Sequence, residues 1–147
     1  FMYLIQGAMM TGQSINKGPI GETLRNICFH KNTPVNLKNG TTVMMKDIQL
    51  GTILENGAEV YGLLTLKGDK HNPYYKIWSD KLDNYIYVTG EHKILVDNKK
   101  KDIEGFKPVS EVSYALKTDI CDEELSCLIT SNHRIPIGEY TFWDWED

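Results

Sequence analysis

Two Asn-Gly pairs, Asn39-Gly40 and Asn56-Gly57, limit what this chain can fold into more than any other feature. The first lies between Thr33 to Leu37 and Thr41 to Met44. The second lies between Thr52-Ile53-Leu54 and Glu59-Val60-Tyr61. Asn-Gly between short apolar, β-branched runs is the strongest local signal for a tight hairpin, whose two central residues both need positive φ. Further strands are expected at Tyr74 to Ser79, Tyr85 to Thr89, Lys93 to Val96, Cys127 to Thr130, Arg134 to Ile137 and Tyr140 to Trp145. Val109 to Leu116 is less defined, and Asp47 to Gly51 reads as a tight connecting turn. Many short strands, frequent turn residues and almost no helical periodicity predict an all-β fold of sandwich or barrel type.

The first 27 residues differ from the rest. Phe1 to Ile27 carries Gly, Met and small residues without strand alternation, and Gly18-Pro19 marks a turn. Gly21 to Arg25 can start a short helix that nothing caps well. This stretch is expected to be a loosely packed, non-β arm, followed by a domain over residues 28–147. A length of 147 residues suits one domain with such an appendage. The apolar Phe1 to Met10 lacks the length and basic flank of a signal peptide. No segment is long enough to span a membrane as a helix. A start at Phe1 reads as a fragment of a longer protein, so membrane attachment upstream stays open.

The net charge of −4 gives nucleic-acid binding no electrostatic support, and Lys99-Lys100-Lys101 sits among Asp97, Asn98 and Asp102 as a solvated turn. The three cysteines, Cys28, Cys121 and Cys127, form no CxxC pair. An odd count argues against a disulfide framework and leaves at least one free thiol, as in a reducing compartment such as the cytoplasm.

Cys28 opens the β region, and that position suggests chemistry. A cysteine there can attack the carbonyl of Ile27, the residue before it, through a five-membered ring. Proximity is then built into the covalent structure. The product is a thioester and a free amine on Cys28. The step is uphill, so the fold must strain the peptide, hold the oxyanion and protonate the departing nitrogen. Thr89-Gly90-Glu91-His92 lies between two expected strands: His92 can move that proton and Thr89 can hold the scissile peptide. Cys127 and His133 flank a late turn and can form a Cys–His pair if the turn brings them together. Each residue also has an ordinary reading, as a core thiol or a surface histidine. His30 and His71 carry no assigned role.

Together these segments resemble the hedgehog/intein (Hint) superfamily. Cys28 to Leu37 looks like the first intein motif, a Cys followed by Thr33-x-Val35 and a glycine turn. Val43 to Leu54 is similar to the stretch that follows it, with Thr52 where Asp is common. Val88 to Leu95 matches the T-x-x-H motif, and Ser126 to Thr130 with His133 looks like the late β motif, Cys127 standing where Asp is frequent. The resemblance implies a horseshoe-like Hint fold without an inserted endonuclease. It implies a single-turnover, autocatalytic domain in which Cys28 performs an N-to-S acyl shift at Ile27–Cys28. Thr89 and His92 assist at the amide, and Cys127 and His133 tune the site or relay protons. The partners implied are the upstream polypeptide in cis and water, a thiol or another small nucleophile as acyl acceptor. No cofactor or metal is required, although Cys28, His92 and Cys127 form a conceivable inhibitory zinc set.

The chain departs from the splicing pattern. It ends Phe142 to Asp147 without a terminal His-Asn, and Asn132-His133 has those residues reversed. The expectation is therefore N-terminal cleavage or acyl transfer without full splicing. Two alternatives stand beside it: an inactive Hint-fold module that binds other proteins, and a Cys–His hydrolase acting in trans.

Overall fold

The computed structural model describes residues 3–6, 28–68, 73–100 and 102–144. The protein is all-β. Among the described residues twelve strands follow in chain order: β1 (Tyr3–Gln6), β2 (Pro34–Asn36), β3 (Thr42–Met44), β4 (Val60–Lys67), β5 (Tyr74–Ser79), β6 (Asn84–Thr89), β7 (Lys93–Leu95), β8 (Phe106–Pro108), β9 (Ala115–Lys117), β10 (Glu124–Thr130), β11 (Arg134–Ile137) and β12 (Tyr140–Trp143). The helical elements among the described residues are 3-10 turns at Met45–Asp47, Asp102–Gly105 and Val109–Glu111.

The two Asn-Gly pairs do close hairpin-like turns, with a geometry different from the expected one. Gly40 and Gly57 have φ of 88° and 85°, but neither Asn39 nor Asn56 has positive φ. Leu37 N–H donates to Thr41 O at 2.8 Å and Leu54 N–H to Ala58 O at 2.8 Å, so each loop holds three residues. Each Asn side chain accepts the N–H two residues on, from Thr41 at 3.0 Å and from Ala58 at 3.0 Å. That side-chain turn replaces the left-handed Asn, and the following glycine alone supplies the left-handed residue.

Alternation sets the layers. In β4 the side chains of Val60, Leu64 and Leu66 are buried while Tyr61 and Lys67 are exposed. β10 is buried from Leu125 to Thr130, as befits a strand covered on both faces. Leu64, Leu66, Ile77, Ile86, Leu125, Leu128 and Phe142 belong to one continuous core. One sheet has the order β1-β4-β10 and another β6-β5-β9. Phe29 joins them, bridging antiparallel to Ser126 of β10 and to Val88 of β6. The third sheet, β11-β12-β7-β8, brings the end of the chain beside the T-x-x-H turn. β2 and β3 form a hairpin tied to the β11–β12 turn by Asn36 Nδ2, which donates to Gly138 O at 2.8 Å.

Three expectations were incomplete. The stretch read as a non-β arm contributes β1, paired antiparallel to β4 from Tyr3↔Leu66 to Gln6↔Leu63. Val109 to Leu116 resolves into a 3-10 turn and the start of β9. β8 had no counterpart in the sequence reading; it is three residues long and pairs with β7. The helix considered at Gly21 to Arg25 lies outside the described residues.

Candidate functional site

The segment Cys28-Phe29-His30 occupies a slot between β10 and β6. On one side Phe29 and Ser126 exchange both backbone hydrogen bonds, each 2.9 Å. On the other, His30 N–H donates to Tyr87 O at 3.1 Å and Thr89 N–H donates to Cys28 O at 2.9 Å. This antiparallel register places Cys28 opposite Cys127 on one flank and opposite Thr89 on the other.

Opposite Thr89 the ladder is broken. A regular pair would have Cys28 N–H donate to Thr89 O. Cys28 N–H donates instead to Thr89 Oγ1, at 2.9 Å, in a buried bond. The displaced carbonyl, Thr89 O, accepts His92 N–H at 3.2 Å and closes the Thr89-Gly90-Glu91-His92 turn. The amide nitrogen of Cys28 is therefore held by a side-chain hydroxyl. Gly90 lets the turn seat: a Cβ there would come within 2.7 Å of the Tyr75 ring.

His92 is buried in an aromatic box. Its ring lies 4.3 Å from the Phe29 ring and 5.9 Å from that of Phe142, measured between centroids. His92 Nε2 is 2.6 Å from Trp143 O. A carbonyl can only accept, so Nε2 carries the proton, and in neutral His92 the lone pair is on Nδ1. In that tautomer Nδ1 is the basic nitrogen of the buried ring.

Cys28 and Cys127 are both buried, at opposed positions of the antiparallel register. Burial, reinforced by the Cys127 sulfur, pushes the Cys28 thiol well above its ordinary range. The resting nucleophile candidate is thus a protonated thiol, and a thiolate requires a base at hand.

Of the residues singled out from sequence, Cys28, Thr89, His92 and Cys127 converge. Ile27 lies outside the described residues. His133 is placed elsewhere: the anticipated Cys127–His133 pair is not formed. Cys127 Sγ lies 3.7 Å from Leu128 O, while His133 Nδ1 lies 3.2 Å from both oxygens of Asp144. Two groups were missed in the sequence, the Trp143 carbonyl and the Asp144 carboxylate. A main-chain carbonyl leaves no sequence signal. Asp144 left one, a lone acid within the aromatic run Phe142-Trp143-Asp144-Trp145 of the expected strand Tyr140 to Trp145.

No protein-family model matches the sequence, and no curated protein matches it. A crystal structure of the MchDnaB-1 intein does align, with a TM-score of 0.54 over 79% of this chain and 98% of that one, at 14% identity. The chain has an intein-like fold. In this fold the turn that begins at Thr89 lies beside Cys28, whose N–H it accepts.

Proposed function

We propose that this domain cleaves its own chain at Ile27–Cys28 by an N-to-S acyl shift. The observation that carries the reading is the diversion of Cys28 N–H from the ladder onto Thr89 Oγ1 at 2.9 Å. An ordinary core cysteine needs no such arrangement at its nitrogen, whereas a departing nitrogen must be oriented.

In the first step His92 Nδ1 takes the proton of the Cys28 thiol, and Sγ attacks the carbonyl carbon of Ile27. The tetrahedral intermediate then collapses. The C–N bond breaks, and His92 Nδ1–H returns the proton to the Cys28 nitrogen. The products are an Ile27 thioester on Cys28 Sγ and a free α-amine. His92 serves as base and then as acid at one atom, while Nε2–H stays on the Trp143 carbonyl. Phe29 and Phe142 exclude water and strengthen each charge interaction in the box. In the second step water, a thiol or another small nucleophile attacks the thioester, releasing the upstream polypeptide and restoring the Cys28 thiol. Neighbouring free thiols fit a reducing compartment.

A hydrolase acting in trans is disfavoured, because Cys28 and His92 are both 0% exposed. A substrate supplied in cis needs no entrance. The test is intact-mass spectrometry of the purified chain incubated with dithiothreitol or hydroxylamine. Release of the segment ending at Ile27, blocked in Cys28→Ala, is the expected result. A chain that stays whole under prolonged treatment overturns the proposal and leaves an inactive module of the same fold.

A further inference from the structure

One planar peptide group, that between Trp143 and Asp144, connects two histidines. Its C=O accepts His92 Nε2–H at 2.6 Å, and its N–H donates to His133 O at 2.8 Å. The group is rigid, so whatever fixes its N–H side also fixes its C=O side.

Four contacts fix it. The Asp144 carboxylate has 0% side-chain exposure. Its Oδ2 accepts Thr130 N–H at 2.9 Å, and both its oxygens lie 3.2 Å from His133 Nδ1. The His133 ring stacks on Trp143 with centroids 5.2 Å apart and planes 14° apart. Phe106 meets Trp143 edge-on at 5.1 Å. His133 itself is held at φ 64°, a conformation that a non-glycine residue adopts only when its surroundings impose it. The carboxylate ties the β10–β11 turn to the end of β12.

A buried carboxylate is a costly way to close a strand, since a neutral side chain of similar size would satisfy Thr130 N–H alone. From this geometry we infer that Asp144 is a positioning residue for His92. Its carboxylate holds the 143–144 peptide so that the Trp143 carbonyl fixes the His92 tautomer and leaves Nδ1 as the base. The inference rests on the self-cleavage reading for its consequence, not for its geometry.

The test uses the full chain and two variants, Asp144→Asn, which keeps shape and an acceptor for Thr130, and Asp144→Ala. Each is made in the native sequence and with Cys28→Ala, which keeps the chain uncleaved for spectroscopy. Ring 15N correlation spectra of the uncleaved proteins read the His92 tautomer. The Nε2–H pattern with a slowly exchanging ring proton is expected with Asp144 present. Asp144→Ala mixes the tautomers and speeds exchange, and Asp144→Asn partly restores the pattern. Hydroxylamine-induced release slows on the order of tenfold to a hundredfold in Asp144→Ala, as for a misplaced catalytic group, and its pH profile moves with the tautomer. An unchanged His92 spectrum in both folded variants overturns the inference, even if release slows. Should the native chain release nothing while the His92 pattern still depends on Asp144, the cleavage reading fails and the positioning role stands.

Discussion

Cys28 and Cys127 face each other across a narrow antiparallel pair. Phe29 and Ser126, the next residues, form a hydrogen-bonded pair with both bonds at 2.9 Å, so Cys28 and Cys127 occupy the adjoining non-hydrogen-bonded position. There the Cα atoms approach to about 4.5 Å and side chains on one face come closest. That lies at the short end of the span a disulfide bridges.

Mild oxidation is therefore expected to join these two residues. Two protein thiols and one small disulfide, such as oxidised glutathione, exchange to a protein disulfide and two reduced thiols. The domain loses two titratable thiols and becomes inert to hydroxylamine, which attacks thioesters without reducing disulfides. Cys127→Ser stays responsive after the same treatment. Thiol titration and intact mass check this; a Cys127→Ser protein that is silenced equally contradicts it.

Thr89→Val keeps the shape of the side chain and removes the acceptor at the Cys28 nitrogen. A buried N–H left without its partner costs about 1–3 kcal/mol. Chemical denaturation should register that loss, and release at Ile27–Cys28 should fall further than the stability change accounts for. Thr89→Ser restores the hydroxyl and should recover most of both.

Gly90→Ala should act on rate more than on stability. The added Cβ meets the Tyr75 ring at 2.7 Å and Ser110 Cβ at 3.3 Å. The turn must tilt, and Thr89 and His92 move with it. Comparing release rate with melting temperature separates the effects; equal proportional losses in both would show that the turn has no role of its own.

Stability should decline in alkali in two stages. Burial, then the Cys127 sulfur, raises the folded Cys28 thiol above the value of about 8.5 that it has in an unfolded chain. Burial, then Asp122, whose Oδ2 accepts the Tyr74 hydroxyl at 3.0 Å, likewise raises Tyr74 above about 10. In both cases the folded state binds more protons than the unfolded one at high pH. Each contribution is thus complete below the unfolded pKa and disappears as pH rises through the folded one. Melting temperature should be flat near neutrality, decline above about 8.5 and decline more steeply above about 10. Cys28→Ala removes the first decline and Tyr74→Phe softens the second.

The sequence carried the local part of this architecture. Asn-Gly turns, the runs that became β5, β6, β7 and β11, and a T-x-x-H segment between strands are all signals written within a few residues. The pairing of strands far apart in the chain is not, because it depends on which surfaces bury each other. That is why Phe29 was not seen to bridge β10 and β6, and why β1 was read as part of an arm. The candidate site divides in the same way. Residue types that do chemistry stood out, whereas their partners did not: a main-chain carbonyl has no identity in the sequence, and nothing local to Asp144 announces that its carboxylate is buried.

The slot that receives Cys28-Phe29-His30 has a consequence for timing. Its walls are β6 and β10, and the carbonyl that orients His92 belongs to residue 143. A ribosome-bound chain that has emerged only as far as β9 possesses Cys28 but neither the far wall nor the carbonyl that orients His92. The proposed cleavage therefore waits for β12 to leave the ribosome. Severing the upstream segment then doubles as a certificate that the chain has been made and folded through β12.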